Sequence, residues 1–220
     1  MSDQLAVEAL IARFEQSPEL VNEAPAWKVS LNFSEWQQKL GLSHALAAPI
    51  ARLRTYSNGE RVSVASDRKI HIEAEIALRL GADVCRASDP LIVDSLQPCL
   101  ELVDYTFPFG DLSTLFSHSF FHAGVVLGLE HPLAHLPSFG PALPCVRNGG
   151  TTHERVPGTV PNNILVALGS LSERVLEAGG SLHRGQLVLC GSYAQPIAFG
   201  EGECVEADFG DRLGKLSVKR

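Results

Sequence analysis

One stretch limits what this chain can fold into more than any other: residues 68–80, Arg68-Lys69-Ile70-His71-Ile72-Glu73-Ala74-Glu75-Ile76-Ala77-Leu78-Arg79-Leu80. Its even positions from Ile70 to Leu80 are all apolar, and its odd positions include His71, Glu73, Glu75 and Arg79. Such alternation describes a strand with one buried and one polar face. Glu73 and Glu75 then share a face, about 6–7 Å apart at Cα for a rise near 3.3 Å per residue. Carboxylates that close raise each other's pKa. A cation between them removes the repulsion, so the pair reads as half of an oxygen-rich divalent metal site. Two plainer readings fit the same residues. The stretch can be a solvated strand face, or a helix, because Glu, Ala, Leu and Arg are good helix formers.

The remaining pattern is β-rich with three or four helices. Residues 3–15 carry Leu5, Ala9, Leu10, Ile11 and Phe14 at helical steps. In Ala26-Trp27-Lys28-Val29-Ser30-Leu31, Trp27, Val29 and Leu31 share one strand face and Lys28 and Ser30 the other. A short helix is expected over 34–42, with Ser34 as its N-cap and Gly41 near its end. Asn58-Gly59 is a turn signal ahead of an alternating 61–64. Residues 81–98 read as a loop and 98–105 as a strand with Asp104 at its end. On a helix over 112–122, His118 and His122 would face the same way, though without the Glu of an H-E-x-x-H motif. Phe120 and Phe121 beside them also suit a partly buried helix with two ordinary histidines. A helix capped by Asn162-Asn163 runs through Ile164 to Leu176, and short strands follow over 186–190, 203–209 and 213–218.

Composition excludes several function classes. The formal net charge is −7, from 18 basic and 25 acidic residues, and no Lys/Arg cluster breaks it, which argues against nucleic acid or an anionic membrane as partner. No apolar run approaches the roughly 20 residues a bilayer requires. The N-terminus has no export pattern, so a cytoplasmic protein is expected. Five widely spaced cysteines, with no C-x-x-C pair, suit reduced, mostly buried thiols. A length of 220 residues fits one domain, 1–220, with 1–60 expected as an N-terminal helix/strand segment packed on a body formed by 61–220.

The order Trp27-Lys28-Val29-Ser30-Leu31, then Ile72-Glu73-Ala74-Glu75-Ile76-Ala77, then Leu100-Glu101-Leu102-Val103-Asp104 resembles the fumarylacetoacetate hydrolase superfamily, in particular the group around 2-keto-4-pentenoate hydratase and 4-oxalocrotonate decarboxylase. Gly158-Thr159, the helix Ile164 to Leu176, Gly185 to Ser192, and Ala207-Asp208-Phe209-Gly210 ahead of Leu213-Gly214-Lys215-Leu216 follow that group's order, so the resemblance covers nearly the whole chain. It implies an α+β fold, a mixed β-roll core with peripheral helices, assembled as a homo-oligomer. It implies a Mg²⁺ or Mn²⁺ held by Glu73, Glu75 and Asp104, and three carboxylates without a thiolate suit such a hard cation. It implies a small-molecule 2-oxo acid as substrate, Lys28 to contact its carboxylate or move a proton, and Thr159 and Ser192 to bind substrate oxygens.

The chain departs from the group after Asp104, where Tyr105-Thr106 stands in place of a small polar residue and an arginine, and where the later acid-asparagine motif becomes His118-Ser119. His118 or His122 is then the candidate proton-transfer group. The expected activity is hydration of a 2-oxo-4-enoate. Alternatives are decarboxylation of an oxalocrotonate-like acid, hydrolysis of an acylpyruvate, or a non-catalytic role as the degenerate partner subunit of a related enzyme.

Overall fold

The alternation at 70–80 is a strand, the centre of a nine-stranded sheet. The computed structural model describes residues 3–16, 24–31, 34–107, 112–133, 145–153, 164–193 and 195–220. Its strands are β1 (Ala26–Ser30), β2 (Leu46–Ile50), β3 (Thr55–Tyr56), β4 (Ile70–Leu80), β5 (Val93–Asp104), β6 (His122–Leu127), β7 (His131–Pro132), β8 (Cys145–Asn148), β9 (Thr151–His153), β10 (Leu187–Leu189), β11 (Ile197–Ala198), β12 (Cys204–Asp208) and β13 (Lys215–Lys219). The large sheet runs β2-β1-β10-β4-β5-β6-β3, with β11 added on β4 and β7 on β5. A second sheet runs β13-β12-β8-β9.

β2 and β3 lie at opposite ends of the large sheet, yet residues 51–54 alone join them. A flat sheet of that order would separate its outer strands by about 29 Å at a 4.8 Å spacing. Five residue steps reach at most about 18 Å. The sheet therefore curls until its ends approach, and one face becomes the inside of a roll. β1, β2 and β3, all within the first 60 residues, belong to this sheet, with β1 lying between β2 and parallel β10.

The two faces of the roll differ. Ile70, Ile72, Ala74, Ile76 and Leu78 of β4 join Leu96, Leu100 and Leu102 of β5 in the main core, together with Ala6 and Leu10 of helix α1 (Asp3–Gln16) and Leu168, Leu171 and Val175 of helix α4 (Ile164–Glu177). The opposite face carries a smaller cluster, Ala26, Ile50, Ala77, Cys99, Val125, Leu187 and Leu189. Burial of apolar area on both faces is the main stabilising term.

Some local expectations are revised. Helix α2 forms at Ser34–Leu40 and α4 at Ile164–Glu177; the expected Asn162-Asn163 cap lies outside the described residues. β5 begins at Val93, inside the expected loop, and tolerates Pro98 because of where the ladder ends. Gly128 N donates to Pro98 O, so the proline nitrogen faces the same side, where pairing with β6 stops at Leu127. The Asn58-Gly59 turn forms, but it docks on β13 through Asn58 and Ser217, and 61–64 makes a bridge at Arg61 rather than a strand.

The largest revision concerns 112–122. Helix α3 covers only Leu112–Ser117. Ser119, Phe120 and Phe121 then all take positive φ (46°, 51° and 66°), and His122 opens β6. The left-handed region costs a non-glycine residue about 1–2 kcal/mol. Two apolar rings, Phe120 and Phe121, are buried by this turn, and their packing offsets that cost.

Candidate metal centre

Register builds the centre. β4 and β5 pair antiparallel with Glu73 opposite Glu101 and Glu75 opposite Cys99, so all four side chains leave the same face. Carboxylate oxygens of Glu73, Glu75 and Glu101 all lie within 4.8 Å of one another. Lys28 enters from β1, two strands away across β10, where it pairs with Leu189. Its ammonium stands 2.9 Å from Glu101 Oε2 and 3.4 Å from Glu73 Oε2, and donates to the Phe120 carbonyl at 3.3 Å.

The centre is buried. Glu75 and Glu101 are 0% exposed, and Lys28 is 3%. The Gly191 amide donates to Glu75 Oε2 at 2.9 Å from a backbone with φ 93°, which glycine adopts without strain. The Tyr105 hydroxyl donates to Glu73 Oε1 at 3.2 Å, and His122 Nδ1 lies 2.8 Å from Glu101 Oε1. Among the described residues, Glu75 Oε1 and His122 Nε2 are buried without a hydrogen-bond partner.

Burial, then the charges of Glu101 and Glu73, push the Glu75 carboxyl well above the usual carboxylate range. Burial also raises Glu73, against the pull of Lys28. Burial works to raise Glu101 as well, but Lys28 and the His122 contact outweigh it and hold this carboxyl low. Lys28 is held far above its ordinary value: burial disfavours its charge, and Glu101, Glu73 and Glu75 together overcome that. Burial and Glu73 likewise raise the Tyr105 phenol.

Of the residues expected at the site, Glu73, Glu75, Lys28 and His122 converge. Asp104 does not. It is three residues from Glu101 on one strand, an odd step, so it leaves the other face, opposite Ile70. There it pairs with Arg68 and accepts the Thr106 amide at 2.9 Å. Glu101 is the third acid. The alternation was readable, since Glu101 stands between Leu100 and Leu102, two residues of the main core. His118 is exposed and stacks on Phe107 at 4.5 Å, because the left-handed turn separates it from His122. Both line a cleft of about 620 Å³ with Arg54, Arg68 and Asp104. Ser192 is buried directly after Gly191, beside the cluster. Thr159 lies outside the described residues. Tyr105 was visible only as a departure from the resembled group, and its role emerges from the geometry.

No protein-family model matches the chain, and no curated protein sequence matches it. Solved structures do. The structure is similar to 4-oxalocrotonate decarboxylase from Pseudomonas putida G7 in complex with calcium and acetate, at TM-score 0.77 and 15% identity, over 97% of this chain and 84% of that one. The same enzyme with magnesium and adipate matches at TM-score 0.77 and 16% identity over the same shares. Fumarylpyruvate hydrolase from Pseudomonas aeruginosa with Mn²⁺ and pyruvate matches at TM-score 0.56 and 16% identity, over 88% of each chain. The chain therefore has the α+β fold of the fumarylacetoacetate hydrolase type, the fold that the sequence resemblance implied.

Proposed function

We propose that this chain is a divalent-metal-dependent enzyme acting on a 2-oxo acid, with Glu73, Glu75 and Glu101 as the metal-holding residues. The observation that carries the reading is the charge balance of the buried cluster. Three carboxylates lie within 4.8 Å, one ammonium faces them, and Glu75 Oε1 is buried with no partner among the described residues. Three negative charges against one positive leave two, which a divalent cation matches. Without it, protons must take its place, and burial favours that at Glu73 and Glu75. The donors are oxygens. Cys99, opposite Glu75, and Cys190 are kept as neutral thiols by burial and by Glu75, so they offer no thiolate. An all-carboxylate set selects Mg²⁺ or Mn²⁺. The similar structures carry calcium, magnesium or Mn²⁺ together with acetate, adipate or pyruvate, which supports the reading.

When bound, the ion supplies Lewis-acid polarisation of a carbonyl next to a carboxylate. Lys28 supplies a fixed positive charge. Its acidic neighbours hold its pKa up, and we assign to it the binding and orientation of the substrate carboxylate. Tyr105 fixes one oxygen of Glu73. Because the Glu101 carboxylate can only accept, we assign His122 the tautomer whose Nδ1–H donates to it; Nε2 is then the acceptor, and we assign to it the uptake and return of the proton in the reaction. Ser192 and Thr159 are assigned to substrate oxygens. His118, exposed on Phe107, is given no catalytic part.

The reaction we assign is hydration of a 2-oxo-4-enoate. Decarboxylation of an oxalocrotonate-like acid is the second reading, favoured by the likeness to the decarboxylase at TM-score 0.77. We further assign a homo-oligomer, which light scattering measures. Calorimetric titration with Mn²⁺, followed by ultraviolet assay of 2-hydroxydienoates and measurement of CO₂, tests these assignments. Mn²⁺ binding with loss of the dienol absorbance and no CO₂ is the expected result. CO₂ release selects the second reading. Binding without turnover of any such acid makes the chain a partner subunit of a related enzyme, and no binding removes the metal assignment.

A further inference from the structure

The turn at Ser119–Phe121 touches the centre directly through its backbone and its rings. The Phe120 carbonyl accepts from Lys28 at 3.3 Å. Phe121 meets the Tyr105 ring edge-on at 5.8 Å, and Tyr105 donates to Glu73. His122, the next residue, holds Glu101. The turn is strained throughout, with three successive non-glycine residues at positive φ; glycines aside, only Leu31 shares that region among the described residues. Strain of this kind persists where surrounding contacts over-determine it, and it clusters at functional sites. The contact that fixes the start of the turn is the Ser119 hydroxyl, which donates to the Pro49 carbonyl of β2 at 2.7 Å.

Among the described residues, the Lys28 ammonium faces two carboxylate oxygens and one carbonyl; the carboxylates, Glu73 Oε2 and Glu101 Oε2, belong to residues assigned to the metal. The carbonyl is that of Phe120, a neutral group outside that set. A cation that draws on the carboxylates leaves the carbonyl as the acceptor that still fixes the ammonium. We propose that the Ser119–Phe121 turn is a positioning element which holds Lys28 in its substrate-facing place once the metal is bound, and that Ser119 is the positioning residue that latches the turn to β2. The inference rests on the metal reading above.

The test uses the full chain, with and without Mn²⁺, and reads acetylation of Lys28 by acetic anhydride in a mass spectrometer. Wild type is compared with Ser119→Ala, Ser119→Gly and the control Ser95→Ala, which removes a buried serine hydroxyl bonded to Glu130, away from the centre. Without metal, Glu101 and Glu73 hold Lys28, and wild type and both Ser119 variants should label alike. With Mn²⁺ bound, both Ser119 variants should label Lys28 about tenfold faster than wild type, as local opening of a latched segment predicts. Glycine accepts the positive φ at position 119, so Ser119→Gly should melt no lower than Ser119→Ala while losing the same protection. Equal labelling of all Mn²⁺-loaded forms overturns the inference and leaves the metal reading standing. Faster labelling in Ser95→Ala as well overturns it in favour of general loosening. Absence of Mn²⁺ binding to wild type removes the metal reading, and this inference with it.

Discussion

β4 and β5 present two faces made by the same strands and the same ladder, and the two do opposite things. One face sends Ile70, Ile72, Ile76, Leu78, Leu100 and Leu102 into the main core. The other sends Glu73, Glu75 and Glu101 into the inside of the roll, where Glu75 and Glu101 are no more exposed than the leucines behind them. Apolar burial stabilises the first face directly. Burial of charge on the second is costly unless each charge is matched. Placing the two back to back lets a strong core hold a destabilising cluster in fixed geometry. Stability and chemistry therefore occupy alternate residues, and a mutation one position along either strand should change which of them is lost.

Four measurements can break that contrast. The largest effect is expected from Glu101→Ala, which strips Lys28 and His122 of their shared partner. Removing one member of a buried pair costs about 3–5 kcal/mol, seen in urea unfolding, and Mn²⁺ binding should vanish. Its neighbour on the other face, Leu100→Ala, should cost about 2–5 kcal/mol through the cavity it leaves, while the Mn²⁺ Kd of the folded fraction stays within twofold. If Leu100→Ala weakens the metal as much as Glu101→Ala does, the two faces are not separable.

Mn²⁺ itself should stabilise wild type by about 2.7 kcal/mol at a hundred times its Kd, and Glu75→Gln should abolish that gain. The same pair of proteins reports on protons. Glu75 has a raised carboxyl in the folded state, so the folded protein binds more protons than the unfolded chain above the ordinary carboxylate value near 4.5. Metal-free stability contributed by this group is therefore full at lower pH and is lost as pH rises from that value toward the folded pKa. Wild type minus Glu75→Gln should show that fall, and a difference that is flat or rises with pH contradicts it. The smallest effect is expected from Asp104→Asn. It weakens a pair whose arginine is 39% exposed, worth about 1 kcal/mol or less, and should leave the Mn²⁺ Kd unchanged. Loss of Mn²⁺ binding in Asp104→Asn would return that residue to the metal set in place of Glu101.

How much of this was legible in the sequence depended on whether the information was local. The period of two in 70–80 is local, and it placed Glu73 and Glu75 on one face. The third acid required knowing which residue of β5 lies opposite Glu73, and register between strands is set by the whole sheet. The carboxylate cluster takes Glu101 and not Asp104 because of parity along β5, which the leucines flanking Glu101 carry. The pair His118 and His122 failed for a different reason. Helical spacing is a sound local inference, but the three left-handed residues between them are set by burial of Phe120 and Phe121, which no propensity records. Pro98 within β5 is legible only once β6 is seen to end beside it.

The position of β1 has a consequence for how the molecule comes into being. The strand that carries Lys28 is bounded on one side by β10, and its Trp27 indole bonds Gln186, 159 residues further along the chain. Such long closures are slow to form, because the entropy of bringing distant segments together is lost before their contacts stabilise anything. A ribosome that has released only the first 150 residues has made every carboxylate of the centre and the lysine too, yet has not made the strand that brings them together. The cluster is complete only with the last third of the polypeptide, so an interrupted chain should lack the assembled centre.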